Sequence, residues 1–266
     1  MFYTISPEGY DNDVGLNELS SSKPVDKGLA LVQHKALCRE LGVIPHKPPN
    51  LHLPDFVYTA NTGILLPRLP IKLVLLANMA NERFRETPFV KKDLERMGFE
   101  TVAFPGPEYW EGEGECCFFH DGHVMVLGYG YRATAATVPK MQRVLDTIYR
   151  RFGVAPPLVV GVRLASPSFY HLDIALCRIS ETQCLVQKGS LRNMKKLRQY
   201  LDVVEMESND PLCLNLIVLK DRVVTHTLNA KDRKFFKKIY GNVVELDVSE
   251  FEKGGGSVRC MVLRLK

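Results

Sequence analysis

After residue 50 one pattern returns again and again, and it limits the folds open to this chain more than any other feature. PDFVYTAN and GILLPRL read as a strand pair and KLVLLANM follows. FRETPFVKKDLERMG then carries apolar residues at helical spacing, ahead of the strand ETVAFP. ECCFFHDG and HVMVLGYG precede the helix VPKMQRVLDTIYRRFG and the strand PLVVGVRL. HLDIALCRI and QCLVQKG precede LRNMKKLRQYL and DVVEM, and LNLIVLKD and RVVTHTLN precede AKDRKFFKKIYG and NVVELDV. Turn signals such as HDG and KDR separate the paired strands.

A ββαβ unit returning at roughly 40–60 residues argues for an array or a propeller. Four units are complete, the closing strand SVRCMVLRL lacks a helix, and the N-terminal helix DKGLALVQHKALCRELG lacks strands. A fifth unit made from both ends closes a ring. The expected fold is therefore α/β, a five-bladed propeller of ββαβ units, as a single domain over residues 1–266. The alternative, an open α/β sheet, asks for strictly alternating strands and helices. In a ring, the first strand of each unit lines the central channel, so residues distant in sequence meet there. LNLIVL in the fourth unit reads as plain core.

Composition narrows the function classes. A formal charge of +5 on 266 residues is mild, and KDRKFFKK (231–238) and RNMKKLRQ (192–199) space their apolar residues as solvated helix faces do. No nucleic-acid partner is expected. No apolar run approaches the ~18 residues of a membrane span, and MFYTISPEGY is neither a signal nor a transit peptide. Seven cysteines with no CxxC and no His/Cys cluster at zinc spacing predict free thiols, no structural metal and a reducing, cytoplasmic setting.

The chemically loaded residues fall in or beside the first strands. In FEKGGGSVRC the glycines 254–256 precede Cys260, either as a slack turn or as a wall that leaves room for a ligand. A lone strand cysteine is more often inert core, but a base or cation nearby would depress the Cys260 pKa and make it a nucleophile, with Cys116 and Cys117 inert. SFYHLDIAL places His171 and Asp173 two apart on a strand, hence on one face. YWEGEGECCFF alternates Glu111, Glu113 and Glu115 with glycines on a path that aims a carboxylate at His171. Asp55 and Asn61 in PDFVYTANTG, Arg132 in GYGYR, and Arg83 and Arg85 in NERFRE add polar groups. Arginines at a channel mouth suit the α-carboxylate of an amino acid.

In order and spacing, DFVYTANTG, NERFRE, EGEGE, GYGYR, FYHLD and GGGSVRC resemble the guanidine-modifying, or amidinotransferase-fold, superfamily, from about Asn17 to Cys260. Dimethylarginine dimethylaminohydrolase, arginine deiminase, arginine dihydrolase and glycine amidinotransferase belong to it. The resemblance implies the same five-bladed α/β propeller. It implies Cys260 as nucleophile, His171 as general acid/base, Glu111 as the carboxylate orienting the histidine, and Asp173 as the grip on the substrate guanidinium. Asn61, Arg83 and Arg132 match pocket residues of the dihydrolase-like branch, and Asn17 in VGLNEL is a further match. Glu115 stands where the family's Glu-Gly-x-Gly-Asp pattern closes with Asp, and the resemblance counts it with the substrate-binding residues. Asn61 stands where arginine deiminases carry a second aspartate, which speaks against plain deiminase activity. The implied reaction hydrolyses the guanidinium C–N bond of arginine or a methylarginine through a covalent Cys260 thiouronium, with no metal or organic cofactor. An amine in place of water would make the chain an amidinotransferase. A catalytically silent ring that binds a macromolecule is the alternative from another class. Oligomeric state, a homo-oligomer included, stays open.

Overall fold

The long helices form where the sequence places them, because each has an end signal and one apolar face. The structure is a computed structural model that describes residues 1–12 and 17–266; residues 14–16 of VGLNEL lie outside the described residues. Helix α1 (Lys27–Leu41) is capped by Asp26, whose side chain accepts the Leu29 N–H, and ends at Gly42 in the left-handed region at φ 61°. Its buried face carries Ala30, His34, Leu37 and Cys38. Helix α2 (Thr87–Arg96) starts with a proline in its first turn, and α3 (Gly112–Glu115) is a single turn. Helix α4 (Thr137–Arg150) buries Met141, Leu145, Ile148 and Tyr149. The helix expected over 191–201 shrinks to α5 (Met194–Leu197), because Asn193 turns left-handed at φ 63° and the two residues before it join a sheet. Helix α6 (Ala230–Tyr240) is capped by the Asn229 side chain, and α7 (Ser249–Glu252) is one turn.

The strands build five separate sheets among the described residues. After β1 (Phe2–Tyr3), the first full unit pairs β2 (Gly63–Leu65) antiparallel with β3 (Leu73–Leu76) and β3 parallel with β4 (Glu100–Ala103). The second repeats this order with β5 (Cys116–Phe119), β6 (Val124–Tyr129) and β7 (Leu158–Leu164). The third uses β8 (Leu176–Arg178), β9 (Gln183–Gln187) and, after β10 (Leu191–Arg192) has turned back onto β7, β11 (Asp202–Met206). The fourth uses β12 (Ile217–Val218), β13 (Val223–His226) and β14 (Val243–Leu246). Finally β15 (Leu263–Arg264) pairs antiparallel with β1, and Ile5 bridges in parallel to His46, just beyond α1. Strand, strand, helix and parallel bridge thus recur in the same order, shared between the two ends of the chain.

A helical turn precedes the first strand of every unit, and outside the second, where β5 fills its apolar run, that strand is shorter than the run suggests. PDFVYTAN, expected as a strand, forms two 3-10 turns, Pro54–Val57 and Thr59–Thr62. HLDIALCRI is a strand only at β8, behind a 3-10 turn at Leu172–Ile174. LNLIVLKD pairs only at β12, and SVRCMVLRL only at β15. The backbone bonds give the reason: Asn61 N–H to Tyr58 O, Ala175 N–H to Leu172 O, Asn215 N–H to Leu212 O and Val262 N–H to Arg259 O all span three residues. An uninterrupted apolar run reports burial on every side. It does not report which backbone group pairs with which.

One core cluster ties the chain ends to the first sheet: Tyr3, Ile5, Leu263 and Leu265 pack with Phe56, Val74, Leu76, Val90 and Leu94. No helix among the described residues is long and apolar enough to cross a membrane. Removing residues 263–266 would unpair β1 and strip out Leu263 and Leu265, buried at 0% and 3% exposure. At about 1.5–3 kcal/mol per buried leucine, the expected loss is about 10–20 °C in melting temperature. A truncated chain melting at the original temperature would contradict the shared unit.

Candidate active site

The helical turns ahead of β2, β5, β8, β12 and β15 each deliver a polar or thiol side chain to one neighbourhood. Asn61 comes from the first, Glu111 from the residue capping α3, His171 and Asp173 from the third, Asn215 from the fourth and Cys260 from the fifth. The spacing of His171 and Asp173 predicts a shared strand face, and the structure corrects this. His171 is the extended residue before a 3-10 turn and Asp173 lies within it, so the two side chains diverge to different partners. The glycines beside Glu111 make this crowding feasible. Gly112 sits at φ 55°, with no room for a Cβ against the Ala60 and Gly63 backbone. A Cβ on Gly114 would lie 2.2 Å from Asn61 Nδ2 and 3.3 Å from His171 Nδ1.

Glu111 is wholly buried, and its Oε2 accepts from His171 Nε2 at 2.8 Å. Arg83 Nη1 and Arg132 Nε each lie 4.0 Å from the same oxygen, and the Ala80 N–H donates to Oε1. Burial alone would raise the Glu111 carboxyl. The His171 hydrogen bond and charge, then Arg83 and Arg132, reverse this and hold it down to about 2. A carboxylate accepts only, so the Glu111 bond assigns the proton to Nε2 and leaves Nδ1, beside Gly114, as the basic nitrogen.

Arg83 is fixed from several sides. It forks onto Glu86 through two 2.9 Å bonds, donates to Asn61 Oδ1 at 2.9 Å, and reaches the carbonyls of Asp55 and Tyr58. Asn61 Nδ2 is then left with no hydrogen-bond partner among the described residues. Arg132 lies over the Tyr170 ring at 5.7 Å. Arg85, grouped with Arg83 in sequence, is exposed and faces Glu82 instead.

The Cys260 thiol, 2% exposed, donates to Asp173 Oδ2 at 3.3 Å and accepts from Asn215 Nδ2 at 3.0 Å. The same Asn215 nitrogen donates to Asp173 Oδ2, and Asn215 Oδ1 accepts the backbone N–H groups of Arg259 and Cys260. The expected depression of the thiol pKa is overturned. Burial, and then the Asp173 charge, push Cys260 well above the ordinary thiol range. Burial likewise raises Asp173, against the pull of His171 and Arg259.

The glycine run is a wall, and Tyr58, Tyr10 and Asn17 are what it makes room for. A Cβ on Gly254 would fall 2.4 Å from the Tyr58 hydroxyl, one on Gly256 2.4 Å from its ring, and one on Gly255, at φ 86°, 2.2 Å from Asn17 Oδ1. Asn17 Nδ2 donates to the Gly254 carbonyl, and the Tyr170 hydroxyl to that of Gly255. The space left beside Cys260 is about 10 Å³, enough for one water.

Of the residues singled out in sequence, Asn17, Asp55, Asn61, Arg83, Arg132, His171 and Cys260 line this cavity. Glu111 stands behind His171, and Asp173 behind the thiol. Glu115, expected to bind substrate, does not reach the cavity. Its Oε2 accepts the Glu111 N–H at 2.8 Å and its Oε1 the Ala133 N–H at 2.6 Å, so it ties the backbone under Glu111 to that beyond Arg132. Asn215 was hidden in LNLIVL, read as plain core. The signal was the one amide in an apolar run, a group that must find partners when buried. No group of three or more His, Cys, Asp or Glu side chains suited to a metal occurs among the described residues.

Residues 7–266 match the family described as eukaryotic N,N dimethylarginine dimethylhydrolase, and the chain belongs to that family. The bifunctional arginine dihydrolase/ornithine cyclodeaminase ArgZ of Synechocystis is 26% identical over 275 residues, covering 97% of this chain. The chain spans only 37% of that relative's length. The N(G),N(G)-dimethylarginine dimethylaminohydrolase of Mycobacterium tuberculosis is 26% identical over 251 residues, 91% of this chain and 78% of its own. A solved N-terminal domain of ArgZ, covalently bound to a reaction intermediate, superposes with a TM-score of 0.87 at 24% identity, over 100% of this chain and 97% of that one. A dimethylarginine dimethylaminohydrolase adduct with S-methyl-L-thiocitrulline does so at 0.73 and 22%, over 99% and 100%. Those likenesses establish a shared mixed α/β fold.

Two outcomes follow from the electrostatics. Asp173→Asn removes the charge that raises the thiol, so Cys260 should alkylate faster than in the parent chain at neutral pH, read by mapping adducts over time. Equal or slower labelling would contradict the assignment. Glu111, held at about 2 against an ordinary 4.5, stabilises the fold fully above pH 4.5 and loses that contribution as pH falls through 2. The contribution is on the order of 3 kcal/mol. Urea titrations from about pH 5 to pH 2 should therefore show a steeper acid loss for the parent than for Glu111→Gln; parallel curves would refute it.

Proposed function

We propose that the chain hydrolyses the guanidinium C–N bond of arginine or a methylated arginine, with Cys260 as nucleophile, His171 as general acid and base, and Glu111 holding the imidazole. The observation that carries this reading is the three-way contact of Cys260, Asp173 and Asn215 beside a cavity that also holds His171 and the charges of Asp55, Arg83 and Arg132. Relatives named arginine dihydrolase and dimethylarginine dimethylaminohydrolase support the same class. We read the five sheets as blades of one closed ring, a single domain over residues 1–266 with β1 and β15 at the seam. The free thiols favour a reducing, cytoplasmic setting.

In this reading the substrate guanidinium enters between Asp173 and the thiol. A cation there opposes the Asp173 charge on Cys260 and eases loss of its proton. His171 Nδ1 takes that proton as sulfur bonds to the guanidinium carbon, and returns it to the departing nitrogen. The amine leaves and a thiouronium remains on Cys260. Water then attacks the same carbon and gives a proton to His171. The C–S bond breaks, releasing a urea-type product and the thiol. Asp55 suits an α-ammonium, and Arg132 with Arg83 an α-carboxylate. Asn61 Nδ2, buried and without a partner among the described residues, is a donor suited to a substrate acceptor.

The test is a guanidine panel assayed for citrulline, ornithine, ammonia and methylamines, on the parent chain and Asp173→Asn. Losing a charge-assisted pair in a desolvated site costs ~2–5 kcal/mol, so kcat/KM should fall about 30- to several-thousand-fold. Equal kcat/KM would remove Asp173 from the guanidinium site. No turnover of any guanidine by the folded parent would overturn the hydrolase reading and favour a silent ring.

A further inference from the structure

Behind the Asp173–Cys260 contact lies a second cavity of about 270 Å³, which shares no lining residue with the one beside the thiol. Arg178 from β8, Arg259 from the turn before Cys260, and Arg264 from β15 converge on it. Cys117, also in its wall, registers all three: burial raises this thiol, and Arg178, Arg259 and Arg264 each pull it down.

The three guanidinium groups are unequally neutralised. Arg259 pairs with Glu113 at 2.9 Å, and Arg178 with the half-exposed Glu181 at 2.8 Å. Arg264 Nη2 donates to the Val218 carbonyl, and its guanidinium lies 5.7 Å over the Phe2 ring. No carboxylate among the described residues lies within ion-pairing distance of it. Burial and the nearby Arg259 accordingly hold Arg264 below its ordinary value, with Glu113 opposing. Asp173 is the other carboxylate in the wall, but its Oδ2 is taken by Asn215 and the thiol, and burial disfavours its charge. Apart from Lys266, a further cation, the remaining wall is largely apolar, with Leu176, Leu214, Leu216 and Val218. A concave apolar space with an under-compensated guanidinium and a second one beside it matches the chemistry of an organic anion site.

We propose that this cavity binds a small organic carboxylate, its anionic head on Arg264 and Arg178 and its apolar body against Leu176, Leu216 and Val218. The volume lies just under the ~300 Å³ at which ligand pockets begin, so the occupant is small. The site differs from the guanidine site in sign, since it selects an anion where the other selects a cationic head, and Asp173 stands in the partition between them. Its occupant would also press on the nucleophile's own turn, because Arg259 is bonded to Cys260 and both N–H groups end on Asn215 Oδ1.

The test reads binding alone and does not depend on the hydrolase reading. Benzoate, benzamide and inorganic phosphate are titrated into the full chain by ligand-observed NMR. Benzoate should saturate, and benzamide, equal in shape but uncharged, should bind about tenfold more weakly or worse. Arg264→Gln and Arg178→Gln should each weaken benzoate by about tenfold or more, while Arg132→Gln, in the other cavity, should leave it unchanged. Arg178 is 32% exposed, so its variant keeps the test alive if the Arg264 variant fails to fold. The proposal is overturned if benzamide matches benzoate, if no benzoate binding saturates, if only phosphate binds, or if only Arg132→Gln weakens benzoate.

Discussion

A carboxylate with no solvent exposure stays ionised only where protein groups replace its water, and Glu111 is such a carboxylate. Its replacement shell comes from His171, Arg83, Arg132 and the Ala80 backbone, groups brought from separate parts of the chain. Arg83, buried in turn, requires the fork of Glu86 and the carbonyls of Asn61, Asp55 and Tyr58. Glu115 pins the backbone on both sides of the cluster. Withdrawing one member leaves a buried charge uncompensated, typically a 3–5 kcal/mol loss. The polar centre and the fold around it therefore stand or fall together.

Glu111 and Asp173 are both buried, and their surroundings push them in opposite directions. Glu111 faces cationic partners and is held ionised. Asp173 faces a thiol and an amide, and burial prevails. On the proposed reading this divides the labour: one carboxylate fixes the imidazole, while the other faces the thiol and supplies the counter-charge for a guanidinium. A resting thiol held above its ordinary pKa is then protected from stray electrophiles until substrate is present.

The repeat was legible because each unit spaces its apolar residues in the same sequence of periods, and the pairing order of the sheets follows it. The helical turns were not legible. In HLDIAL and LNLIVL the residues are buried on every side, so nothing in the pattern distinguishes a 3-10 turn from a strand. Cys260, His171 and Glu111 were found because glycines and neighbouring charges flagged them. Asn215 carried no such flag, and Glu115 carried a misleading one: a carboxylate in a Gly-x-Gly frame that bonds to the backbone beneath the cavity. The thiol's electrostatics needed the structure, because its burial and then the approach of Asp173 set the direction of its shift.

Asn215 has one further consequence. Its amide spans the backbone of Arg259 and Cys260 at one end and the thiol and Asp173 at the other. A carboxylate or imidazole in that place would change its donors and acceptors with acidity, and the spacing it sets would drift. A carboxamide has no proton to gain or lose in the working range of proteins. The distance between sulfur and carboxylate is thereby set by a ruler blind to pH, while the groups it spaces remain free to titrate.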